Sequence, residues 1–143
     1  LAFYQTFLFM RHFLFLGLFL SLLLTACNGN NVEEFDLFMK QFNEDLSFQK
    51  SRVIFPLKYE GYDIETDSLM LQEIPEEEWE EVDLSWDPSY KTRETDAYDR
   101  EIIERKDTTI VHFQGVNNGI NLEAVFVCKK GKWFLLHLSD RSM

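Results

Sequence analysis

Two histidines and a group of tyrosines are the side chains best suited to move a proton. His112, His137 and Tyr59, with Tyr62, Tyr90 and Tyr98, could supply a base and hydroxyl donors. A working base must reach within about 2.6–3.2 Å of the proton it removes. His112 lies between Val111 and Phe113, so in a strand it faces away from both, and each histidine is expected to be a surface or hydrogen-bonded structural group. Trp79, Trp86 and Trp133, with Tyr59 and Tyr62, are candidates to stack on a sugar or peptide; of these Trp79, Trp86 and Tyr62 are the expected ligand-lining set, although core packing is the commoner fate of tryptophan in a small domain.

Metal chemistry finds little support. Asp63, Glu65 and Asp67 have the alternate spacing that opens a calcium loop, but Ser68 replaces the required glycine and Ile74 the closing glutamate. Residues 60–87 hold 12 acidic residues and no Lys or Arg; that stretch is expected to be a solvated face. No zinc, phosphate-loop, dinucleotide or Ser/His/Asp pattern is present, and no metal or cofactor site is expected.

The most informative chemical residue is Cys27. Residues 1–26 contain no acidic residue and one strong base, Arg11, while all 25 acidic residues lie from Glu33 onward. Met10-Arg11-His12 followed by FLFLGLFLSLLL reads as a short positive region and a 12-residue apolar core, within the ~7–15 residues usual for a secretory signal. Met10 is accordingly read as the start of translation. Leu24-Thr25-Ala26-Cys27 resembles a bacterial lipobox, which implies cleavage between Ala26 and Cys27, diacylglycerol on the Cys27 thiol and an N-acyl chain, palmitate among the fatty acids. Several chains give firm anchoring where one alone is marginal. Residues 27–31 then form the lipidated cysteine and a short tether, and Cys128 is left as an inert thiol in an apolar run.

Behind these groups stand the elements that must position them. From residue 27 on, 13 Lys and Arg face 25 Asp and Glu, a formal net charge of −12; this argues against nucleic acid and against attraction to anionic lipid surfaces. Residues 32–143 suit one domain. Phe35, Phe38, Met39, Phe42 and Leu46 form a helical stripe, with Glu33, Glu34 and Asp36 at its positive end. RVIFPLKY reads as a strand that is an edge or begins at a bulge because of Pro56. Glu60-Gly61 reads as a turn, Tyr62–Thr66 as a half-exposed strand, and Pro75 with Glu76–Glu81 as a short acidic helix. Residues 83–98 read as a loop. Strands are expected over 100–104, 108–114, 120–129 and 132–138, with Asn117-Asn118-Gly119 and Lys130-Gly131 as hairpin turns.

FMKQFNEDLSFQKSRVIFPL and the closing GKWFLLHLSD resemble the bacterial group called domain of unknown function 4348, found in secreted chains and lipoproteins. That group is similar to the nuclear-transport-factor-two-like (cystatin-like) fold. The resemblance implies an α+β domain, a cone of curved antiparallel sheet wrapped around a long N-terminal helix. Some relatives of that fold run isomerase or dehydratase chemistry inside the cone, whereas the group itself has no assigned activity.

The expected protein is a membrane-anchored cell-envelope lipoprotein of the outer membrane, on the periplasmic or the surface side, binding a small ligand or protein without catalysis. The alternatives are a small isomerase- or hydrolase-like enzyme with its site in the cone and a structural envelope protein acting through its acidic face. A cone filled by Phe38, Phe42, Trp133 and Phe134 would exclude a site inside it.

Overall fold

The computed structural model describes residues 32–63 and 65–143; Ala26, Cys27 and the tether lie outside the described residues. The described chain from Val32 onward is one compact unit. Its elements are α1 (Phe35–Glu44), α2 (Leu46–Ser51), β1 (Val53–Asp63), β2 (Ser68–Ile74), β3 (Tyr98–Glu104), β4 (Thr108–Gly115), β5 (Asn121–Lys129) and β6 (Lys132–Asp140). The strands form one curved six-stranded sheet in the order β2-β1-β6-β5-β4-β3. β1 runs parallel to β6 and every other pair is antiparallel.

Helix α1 buries Phe35, Phe38, Met39 and Phe42, as the 3.6-residue period dictates. It is ten residues long and stops at Asp45, whose backbone is extended. The Asp45 carboxylate then accepts the Phe48 N–H at 2.9 Å, capping a second helix. This break turns Leu46 off the expected stripe, leaving it 53% exposed, and brings the fully buried Gln49 to the core instead.

The rings of α1 pack on Phe126 of β5. Phe35, Phe38 and Phe42 each meet it edge-on, with centroids 5.5, 5.5 and 5.6 Å away, a geometry that adds about 0.5–1.5 kcal/mol per pair beyond area burial. Leu57, Leu84, Val111, Ala124 and Leu135 are fully buried around them. Trp133 stacks its edge on Phe35 at 5.1 Å, and its indole N–H donates to the Glu33 carbonyl. Phe134 instead lies half-buried against the Arg52 guanidinium, 5.4 Å from its ring centre. The concave face is therefore filled by Phe35, Phe38, Phe42, Phe126 and Trp133.

Several local expectations change. Glu60-Gly61 is interior to β1, which runs on through Tyr62 and Asp63, because β2 pairs with it from Leu57 to Asp63 and leaves no room for a turn. The turn falls at residues 65–67, where Asp63 accepts the Glu65 and Thr66 N–H groups and Asp67 takes a positive φ of 52°. Ser68–Ile74, which would have continued a calcium loop, is strand β2. For Pro56 the bulge alternative holds: it lies inside the register shift between Val53 and Lys58, where a bulge tolerates its missing donor. After Pro75 only a single 3-10 turn forms, Glu76–Glu78, and a second, Pro88–Thr92, is capped by Asp87. The Lys130-Gly131 turn has φ of 52° and 78°, the left-handed pair that suits a two-residue hairpin.

Candidate functional site

Side-chain amides on the helices fix the segment that follows β2. Gln49 donates to the Phe42 and Val82 carbonyls and accepts the Val82 N–H. Asn43 donates to the Met39 carbonyl and accepts the Leu84 N–H at 2.9 Å, seating Leu84 in the core. Between these pins, Asp83 accepts the Ser85 N–H in a tight turn that brings Trp86 beside Arg100 of β3. The Arg100 guanidinium lies 4.9 Å from the Trp86 ring centre, a cation–π contact.

The result is an open groove of about 800 Å³ between α1, the 81–86 segment and β3. Asp36, Met39, Lys40, Asn43 and Glu44 form one wall; Glu81, Asp83, Ser85 and Trp86 form the other, with Arg100 at one side. Four carboxylates thus face two cations. The indole N–H of Trp86 is buried and has no acceptor among the described residues, as is also true of Trp79. Such a donor costs about 1–3 kcal/mol when left unpaired. An aromatic face and carboxylates, beside the one amide of Asn43, can together hold a ligand rich in hydroxyl or amine donors.

The proton-transfer candidates do not converge. His112 points to the convex face of the sheet, opposite the buried Val111 and Phe113, where its Nε2 lies 3.0 Å from the Asn121 amide oxygen. His137 lies two strands away on β6. It shares a shallow recess of about 470 Å³ with Lys58, Tyr59, Leu71, Gln72 and Glu73; the sequence candidates Tyr59 and His137 both border it, but Tyr59 is in register with Leu138 rather than with His137. Lys58 pairs with both Glu73 and His137 across the strands, while Tyr59 turns toward the core. Burial, and then the Asp140 charge, raise the Tyr59 pKa, so its hydroxyl remains a proton donor.

Tyr62 donates to Asp67 beside the exposed turn; that hydrogen bond, with burial, raises its pKa and ties it to the loop rather than to any groove. Tyr90 and Tyr98 stack edge-on at 5.6 Å, with Arg93 about 5 Å from both rings; burial raises the Tyr98 pKa against the opposing charge of Arg93. Trp79 packs its edge on Phe55 at 5.9 Å beside the core. Cys128 is half-buried with a free thiol. Of the expected ligand-lining set, only Trp86 lines the large groove. Among the described residues no three His, Cys, Asp or Glu side chains are grouped to hold a metal, and no helix is long and apolar enough to cross a membrane.

Asn43, Gln49 and Arg100 were not singled out from the sequence.

Three solved structures share this fold. A nuclear-transport-factor-two-like protein of Bacteroides fragilis is 21% identical, with a TM-score of 0.57 over 81% of this chain and 50% of its own; the chain thus spans about half the length of that relative. A cystatin-like protein of Bacteroides caccae is 19% identical, with a TM-score of 0.52 over 75% of each chain. A protein of Bacteroides uniformis is 22% identical, with a TM-score of 0.55 over 77% of this chain and 78% of its own. No curated protein matches. The family model described as Domain of unknown function (DUF4348) matches residues 4–140, and the chain belongs to that family.

Proposed function

We propose that this is a lipid-anchored protein of the bacterial cell envelope, held in the outer membrane through Cys27, whose domain binds a ligand or partner without transforming it. Leu24-Thr25-Ala26-Cys27 supports the anchor, and the match of the family model from residue 4 takes in the apolar segment before it. The observation that carries binding over chemistry is the filled concave face: Phe38, Phe42 and Phe126 are at most 1% exposed where an enzymatic pocket of this fold would open. Binding is then assigned to the groove of Trp86, Arg100 and Asn43.

A photo-crosslinking residue at Asp83, in the groove, compared with one at Gln114 on the convex face, tests the assignment in living cells. The reading expects an adduct from position 83 that disappears on Trp86→Ala. Equal adducts from both positions, or indifference to Trp86, would contradict it. The anchor is tested separately by palmitate incorporation, which Cys27→Ser should abolish.

A further inference from the structure

The chain joins the domain at one end of the sheet. The Glu33 N–H donates to the Gly131 carbonyl, its carbonyl accepts the Trp133 indole N–H, and its carboxylate accepts the Trp133 N–H and a two-pronged pair from Arg52 at 2.9 Å. This clamp ties Glu33, the second residue after the tether, to the β5–β6 turn. Cys27 and Glu33 are six residues apart, so even a fully extended chain spans at most about 20 Å between them. A lipid on Cys27 therefore keeps this end of the sheet near the bilayer.

That end is basic although the domain is acidic. Arg105 and Lys106 occupy the β3–β4 turn, and Lys129, Lys130 and Lys132 the β5–β6 turn; all five are exposed. The two turns adjoin, since the Cys128 N–H donates to the Asp107 carbonyl at 2.9 Å. None of the five forms an ion pair with a described residue. Lys129 and Lys132 are directly opposite each other, an arrangement of like charges that destabilises a hairpin and gains from a negative surface. Below them on the convex face, Val127 and Phe134 form the next cross-strand pair, half-buried.

The opposing charges nearby are few. Asp107 shares the β3–β4 turn, while Glu34 and Asp36 belong to the first turn of α1 and Glu104 falls on the concave side of β3, in register with the buried Thr109. The acidic run from Glu76 to Glu81 follows β2 at this same end of the sheet, where Glu76 pairs with Lys50 at 3.9 Å, but it leaves from the far edge strand, with β1 between β2 and β6 and both between β2 and β5. Strands lie about 4.8 Å apart, so β2 and β5 are separated by more than the about 8 Å over which physiological salt screens charge.

We propose that this basic end, with the adjoining convex surface of β5 and β6, docks on the anionic phosphate headgroups of the bilayer that holds Cys27. The proposal rests on the anchored reading above. Docking would fix which way the domain faces and leave the β1–β2 and β4–β5 turns, at the other end of the strands, pointing away from the membrane.

The test uses the full acylated chain in vesicles of phosphatidylcholine, with or without phosphatidylglycerol. In a Cys128→Ser background, a fluorophore is placed at Lys106→Cys or, at the opposite end, at Glu65→Cys, and collisional quenching by nitroxide lipid is measured. Quenching should be strong at 106, weak at 65, dependent on phosphatidylglycerol and relieved by salt. Each lysine near an anionic surface is worth about a fivefold change, so Lys129→Gln with Lys132→Gln should lower the docked-to-free ratio roughly thirtyfold. Equal quenching at both positions, or no response to phosphatidylglycerol or to the double variant, would overturn docking. Mass measurement of Cys27 on the same preparation separates the two failures: lipid present with equal quenching sinks docking alone, whereas lipid absent sinks the anchor and docking together.

Discussion

The two faces of the sheet are built from the same strands and differ in almost everything else. On the concave face Val111, Ala124, Phe126 and Leu135 are fully buried under α1. On the convex face their neighbours Ile110, His112, Val125 and His137 remain partly exposed, and no helix among the described residues covers them. The concave side is a close-packed interior in which every methylene counts; the convex side keeps its residues free to meet something else. In this chain the concave side is structural core, and on the reading proposed above recognition is displaced to the rim and outside.

Mutations at matched positions sharpen that contrast. The largest effect is expected at Phe126→Ala, where three edge-on rings lose their shared partner: about 3–5 kcal/mol of stability, read from urea unfolding midpoints. A loss under about 1 kcal/mol would mean that the ring borders open space. Gln49→Leu fills the same volume but strands the Val82 N–H and the Val82 and Phe42 carbonyls. A loss of about 1–3 kcal/mol is expected, with faster amide exchange at Val82 and Leu84.

The convex face and its rim are expected to respond more weakly. Glu60 accepts hydrogen bonds from Arg141 and Ser139. The Arg141 bond, acting against burial, leads the effects that hold its carboxyl below the ordinary range. Because its folded pKa is lowered, this contribution is present above the ordinary carboxyl value of about 4.3 and is lost as pH falls through the lowered value. Glu60→Gln should therefore unfold at lower urea concentration than the parent near neutrality, and the difference should vanish in acid. His112→Ala, the smallest change, should alter stability by no more than about 0.5 kcal/mol.

The sequence made the C-terminal meander legible because Lys130-Gly131 and Asn117-Asn118-Gly119 punctuate apolar alternation at hairpin spacing. It also made the α1 stripe legible as far as Phe42. Strand β2 was not legible: as an edge strand it exposes Leu69, Met70 and Leu71, so no alternation marks it, and its neighbours are acidic. The helix break at Asp45 was hidden for another reason. An aspartate inside an apolar period is ambiguous until its carboxylate is seen capping Phe48. The groove was the least legible feature, because its walls meet through contacts as distant as Asn43 with Leu84 and Trp86 with Arg100, which no local pattern encodes. Even the basic end was masked, by a net charge of −12 averaged over residues 27–143.

The claim that the concave face is core rather than pocket can be tested by pressurising crystals of the protein with xenon, which enters dry apolar cavities of this kind of lining. The account expects no xenon and no ordered water among Phe38, Phe42, Phe126 and Trp133. An ordered xenon atom or a water cluster between those rings would contradict it and return the search for a site to the interior of the sheet.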